Sequence, residues 1–212
     1  MGNNKLQYNI RSKRQISTIN SIIKGEKMKN KLKKFDDLFI NIINRKMKHR
    51  YLDAIMYRAT NLGGAVFSSL LVLILILIGS SNVKLIGLEA LGALTISQII
   101  VHALKRILSR ERPYKIIEQL NTFGINLKDY SFPSGHTTAS FSIATTIALN
   151  IPKLSIVVFV IAIIVGISRI YLGVHYPTDV TAGILLGIGT ALVIHFYLLE
   201  YIYTLAESLG LK

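Results

Sequence analysis

Residues 59–83 contain no charged side chain, and Leu70 to Ile78 within them is an unbroken aliphatic block. About 20 such residues suffice to cross the hydrocarbon core of a bilayer. In hydrocarbon every backbone N–H and C=O must be paired within the segment, so the block is read as a helix. Four more apolar runs follow, at 85–104, 130–152, 154–168 and 180–199. The run at 130–152 is interleaved with Thr137, Thr138, Ser140, Ser142, Thr145 and Thr146, small hydroxylated residues that suit close packing inside a bundle. Gly183 and Gly187 in the last run are spaced for close backbone contact. Glu89 in the second run is costly unless it lies near the interface or faces the bundle. The expected fold class is all-α: a polytopic membrane helix bundle of about five crossings, behind an amphipathic N-terminal segment.

Composition agrees with a single membrane domain. Half of the 212 residues are apolar and 17% are charged. The absence of cysteine excludes disulfides, thiolate zinc sites and cysteine nucleophiles. The formal charge of +14 is concentrated at one end, with 15 Lys/Arg against four acids in residues 1–58. Beside membrane crossings, the partner for such a segment is an anionic lipid surface, and no nucleic acid is expected. Residues 1–34 read as a basic mobile tail. Residues 35–58 place Phe35, Leu38, Phe39, Ile42 and Ile43 at helical spacing and read as amphipathic helix lying on the bilayer. Residues 59–203 form the membrane domain, and 204–212 a short C-terminal tail. The polar start is not a cleavable signal peptide.

Chemistry-bearing residues collect at the ends of the crossings, in Lys105 to Pro113, Pro133 to His136, and Ser168 to Asp179. Five crossings place the 105–135 and 169–179 connections on one side, where these stretches can meet. Lys105 as a point charge and Arg112 as a planar fork suit different oxygens of one phosphoryl group. Ser134 is a candidate N-cap, and Gly135 lets a ligand approach the backbone at a positive helix end. His175 and Asp179 flank Pro177, so that Asp179 can fix the imidazole tautomer. Arg106 and Arg110 read as side chains snorkelling to headgroups. His49, His102 and His195 read as structural. Ser134, His175 and Asp179 could mimic a hydrolase triad, but three cations exceed what an ester oxyanion needs. His136, His175 and Asp179 could ligate a metal, yet the same cations would repel it.

Together, Lys105-x(6)-Arg112-Pro113, Pro133-Ser134-Gly135-His136 and Ser168-Arg169-x(5)-His175-x(3)-Asp179 resemble the three-part signature of the type 2 phosphatidic acid phosphatase superfamily. The resemblance covers about residues 60–200. It implies that His175 attacks phosphorus, that Asp179 orients it, and that His136 protonates the leaving oxygen. It also implies that Lys105, Arg112, Arg169, Ser134 and the Gly135 backbone bind the phosphoryl oxygens, with no metal and no cofactor. The soluble vanadium haloperoxidases of the superfamily lack such crossings. A site beside the lipid interface implies a lipid phosphate: a phospholipid monoester of phosphatidate or phosphatidylglycerophosphate type, or alternatively a polyprenyl diphosphate such as undecaprenyl diphosphate. A catalytically idle membrane anchor with a basic recruitment arm is the expectation from a different class. Lys and Arg distribution puts the site side in the cytoplasm, whereas the resemblance implies an extracytoplasmic site.

Overall fold

A computed structural model describes residues 25–208 and Gly210; the expected tail over 1–24, and residues 209, 211 and 212, lie outside it. Two compact units divide between Phe39 and Ile40. In the first, helix α1 (residues 25–40) starts ahead of position 35, because Lys27 to Lys34 is rich in helix-forming lysine and free of proline. Phe35 and Phe39, one turn apart, stack at 4.7 Å between centroids.

The second unit is a helix bundle. A π turn, Asn41–Lys46, precedes α2 (Arg50–Ala59), a 3-10 turn (Thr60–Gly63) and α3 (Ala65–Ile78). Only Gly79 and Ser80 separate α3 from α4 (Ser81–Leu108). A short α5 (Pro113–Ile116) lies in the connection to α6 (Gly135–Asn150), followed by α7 (Ser155–Tyr171) and α8 (Pro177–Val193). A second π turn, Ile194–Leu198, leads into α9 (Leu199–Ser208). All described elements are helical, as the apolar runs predict.

Among the described residues, three segments are long and apolar enough to cross a membrane: Ser81–Ile116, Pro152–Tyr171 and Pro177–Ser208. A fourth arises if Arg50–Gly63 and Ala65–Ile78, bent 54° to each other, form one broken span. The expected crossing over 130–152 contains α6, whose 16 residues span about 24 Å at about 1.5 Å per residue. It forms the centre of the bundle, packed by α4, α7 and α8. Thr137, Thr138, Ser142, Thr145 and Thr146 are all buried there against helices rather than lipid.

Small residues set the α6–α8 approach. A Cβ on Gly187 would lie 2.6 Å from the Thr138 carbonyl oxygen, and one on Gly183 would lie 2.8 Å from that of Ser134. Glu89 faces the bundle and is fully buried. It accepts hydrogen bonds from Asn150 Nδ2 at 2.7 Å and pairs with His195 Nδ1 at 2.9 Å. His195 thus satisfies a buried carboxylate, as a structural histidine does.

Candidate active site

The alternating helix directions bring the ends of α4 and α7 and the starts of α3, α6 and α8 to one face of the bundle. A cavity of about 240 Å³ there is lined by Lys105, Arg112, Gly135, His136, Arg169 and His175. The sequence points to all six, but not to Asp129 or to His102, read there as structural, which also line the cavity. Ser134 and Asp179 stand behind this wall.

Each cation is held differently. Lys105, in the last turn of α4, is buried and binds Asp129 Oδ2 at 2.5 Å. Arg112 is the N-cap residue of α5, and its guanidinium is fully buried. Its Nη1 donates to Val174 O at 2.8 Å and lies 3.1 Å from His175 Nε2. Its Nη2 donates to Asp129 Oδ1 at 2.7 Å, and Nε to the Asp129 carbonyl at 2.9 Å. Arg169 sits in the last turn of α7 and donates to Thr60 Oγ1 at 2.6 Å, while its buried Nε has no partner among the described residues. Arg169 also lines the cavity, and a guanidinium with a donor left over is suited to an anion.

His175 follows a turn at Gly173, whose φ of +65° is the left-handed region glycine tolerates. Arginine has only donors, so the Arg112 contact requires a lone pair on Nε2 and places the ring proton on Nδ1. Burial first, then the charges of Arg169, Arg112 and Lys105, hold the imidazole neutral, well below its ordinary pKa. The ring therefore presents a neutral Nε2 whose lone pair is held by the Arg112 Nη1–H. Asp179 Oδ2 lies 3.5 Å from His175 Nδ1, too long for a hydrogen bond. That carboxylate instead accepts from the Tyr176 N–H at 2.8 Å, closing a capping box at the start of α8, and from Ser131 Oγ.

Ser134 is the N-cap of α6, as its sequence position predicts. Its hydroxyl turns to Thr137 Oγ1 at 2.8 Å. His136, in the first turn of α6, shares the cavity wall with His175. Among the described residues no cluster of three His, Cys, Asp or Glu side chains is placed to hold a metal, so His136, His175 and Asp179 do not converge as ligands.

Two residues corrected or extended the sequence reading. Arg110 does not snorkel. Its Nη1 donates to Asp179 Oδ1 at 2.6 Å and to Thr178 Oγ1 at 2.8 Å, and the guanidinium lies 3.9 Å over the Tyr176 ring. The buried Asp179 carboxylate needs a cation, and Arg110 is brought to it by the loop geometry, which no spacing rule reveals. Asp129 was not singled out. Burial raises the pKa of its carboxyl, but the bond from Lys105 and the charge of Arg112 outweigh that and hold it well below the ordinary carboxylate range. Its only signal was an acid four residues ahead of Pro133.

Polar pins hold this face together. Asn44, buried in the π turn, donates to Tyr171 O at 2.7 Å and accepts from the Asn121 N–H at 3.1 Å. Tyr171 OH donates to Asp53 at 2.6 Å. Residues 44–53 therefore pack on the end of α7 that carries Arg169.

A helical membrane bundle with three buried cations and two histidines around one cavity defines an anion-handling membrane protein. Residues 86–202 match the PAP2 superfamily, and the chain belongs to that family. LpxE of Aquifex aeolicus superposes with a TM-score of 0.68 at 30% identity, over 76% of this chain and 94% of that one. A transmembrane PAP2 type phosphatidylglycerolphosphate phosphatase from Bacillus subtilis superposes at 0.65 with 27% identity, over 78% of this chain and 85% of that one. An undecaprenyl-diphosphatase of Sulfolobus acidocaldarius is 34% identical over 48% of this chain and 50% of its own length. The chain spans about half the length of the curated relatives it matches. With its candidate spans, the chain is a multi-pass membrane protein.

Proposed function

We propose that this chain is a metal-independent lipid-phosphate phosphatase working through a phosphohistidine. The observation that carries the proposal is the single cavity in which Lys105, Arg112 and Arg169 surround His175 and His136. Phosphoryl transfer depends mainly on positioning and neutralising the transferred group, and three fixed cations supply both.

In this reading the phosphoryl oxygens take the place of the Asp129 carboxylate on Lys105 and Arg112, and meet the guanidinium of Arg169. His175 Nε2 forms a bond to phosphorus as the bond to the leaving oxygen breaks. That oxygen keeps the electron pair and receives a proton from His136. His136 then takes a proton from water, whose oxygen attacks the phosphohistidine. The P–N bond breaks, its pair returns to Nε2, and orthophosphate departs. Asp179 steadies positive charge on the ring, and Ser134 and the Gly135 backbone shape the start of α6 beneath the phosphate.

The substrate is a lipid phosphate, either a phospholipid monoester of phosphatidate or phosphatidylglycerophosphate type, or undecaprenyl diphosphate. The named activities of the Bacillus and Sulfolobus relatives support one each. We place the site on the extracytoplasmic side, with residues 35–58 as the interfacial segment holding anionic lipid. His175→Ala is expected to abolish phosphate release while the protein stays folded, and EDTA to leave wild-type turnover intact. Wild-type turnover in His175→Ala would overturn the mechanism, and loss with EDTA restored by a divalent ion would overturn metal independence.

A further inference from the structure

The cavity has a second polar wall that the cations and histidines above leave unused. Lys105 closes a stripe on α4 with His102, Gln98 and Leu94, residues three or four apart and so on one helix face. Past this stripe the cavity continues into a groove of about 770 Å³ that shares Gln98 and His102 with it and runs along α4 by Arg106, Ile99 and Leu91. Gln98 Nε2 donates to the Gly135 carbonyl at 3.2 Å, which fixes it beside the turn that carries His136. The groove therefore leaves the cavity along α4, past the side chain that is tied to the Gly135 carbonyl.

His102 and Arg106 are exposed along this exit, and among the described residues neither side chain is tied up in a hydrogen bond or ion pair, so both are available to a ligand. Ser68, buried in the cavity wall, has a hydroxyl with no partner among the described residues. His102 precedes Lys105 by three residues, so the two lie on one face within about one turn of α4. Farther from Lys105 the wall becomes aliphatic at Leu94, Ile99 and Leu91. The order cation, polar, apolar along one helix is the order of a diphosphate followed by a hydrocarbon chain. A glycerol ester next to the scissile bond offers no charge to His102 and Arg106, whereas a second phosphate does.

We propose that His102 and Arg106, with Gln98, form a second anion subsite for the phosphate adjoining the scissile bond of a lipid diphosphate. His175 attacks the terminal phosphorus, the bond to the bridging oxygen breaks, and that oxygen leaves with its electron pair and the His136 proton. Water then releases orthophosphate from the ring, and a lipid monophosphate remains in the groove. This rests on the phosphatase activity proposed above.

The test uses the full-length protein in lipid nanodiscs with a polyprenyl diphosphate and the monophosphate of the same chain length. Wild type is expected to favour the diphosphate in kcat/KM. His102→Ala and Arg106→Ala are each expected to lower the diphosphate-to-monophosphate ratio by about tenfold or more, the scale for losing a hydrogen bond to a charged group. His102→Lys, which restores a cation, is expected to recover much of the ratio. An unchanged ratio in both alanine variants, or a wild type that favours the monophosphate, overturns the subsite and leaves the phosphatase reading standing. Absence of His175-dependent turnover on either substrate overturns both.

Discussion

Arg110 and Asp129 show how a side chain's role follows from its partners rather than its type. Arg110 uses its planar fork to bind Asp179 and Thr178 while lying on the Tyr176 ring. A lysine keeps the charge but loses both the fork and the stacking. Arg110→Lys is therefore expected to lower kcat by about tenfold, the cost of one charge-assisted bond, with little change in KM, because Arg110 acts through Asp179 rather than on the phosphate. Steady-state kinetics on one lipid phosphate separates the two constants; near-wild-type kcat would restore the snorkelling view. Asp129 places a carboxylate on two of the cavity's three cations, so it competes with any phosphate for them. Half of its side chain is exposed, and an ion pair so placed is worth up to about 1 kcal/mol. Asp129→Asn is expected to tighten inhibition by orthophosphate or vanadate by up to about fivefold, on that scale. Weaker inhibition would mean that Asp129 serves to position Lys105 and Arg112.

At the scale of elements, α6 carries Gly135 and His136 in its first turn and is enclosed by α4, α7 and α8. Its hydroxyls and small residues let α8 approach until only glycine fits at 183 and 187. That approach also sets the site, since the first turn of α8 holds Asp179 and the Ser134 N–H donates to the Asp179 carbonyl at 3.1 Å. Gly187→Ala would push a methyl group to 2.6 Å from the Thr138 oxygen. Its expected cost is about 1–3 kcal/mol, as for other overpacked cores, read as a lower melting temperature in detergent. Gly189→Ala, where a Cβ meets nothing within 4 Å, is the control and should melt with the wild type. Equal melting of both variants would show that α6 and α8 separate at little cost.

For the molecule as a whole, the open question of greatest consequence is the side that the site faces. Ser109 lies just past α4 at the site end, and Ser81 begins the same helix at the other end; both are exposed. The native chain has no cysteine, so each can be replaced singly without background. With an extracytoplasmic site, an impermeant thiol reagent applied to intact cells is expected to label S109C and spare S81C. The reverse pattern would place the site in the cytoplasm, as the Lys and Arg distribution predicts.

The fold class and most of the residues lining the candidate site could be read from the chain alone. Uncharged apolar runs permit only helices in a bilayer, and Lys105, Arg112, His136, Arg169 and His175 stand near the ends of those runs and line one cavity. What only the tertiary structure decided depends on groups far apart in sequence. The pairing of Arg110 with Asp179 spans 69 residues and that of Glu89 with His195 spans 106. A buried carboxylate needs a partner, but nothing local says which distant cation or imidazole the packing will deliver. The same holds for α6: its own sequence marks an apolar run interleaved with hydroxyls, and only the packing of α4, α7 and α8 shows that those hydroxyls are enclosed by the bundle.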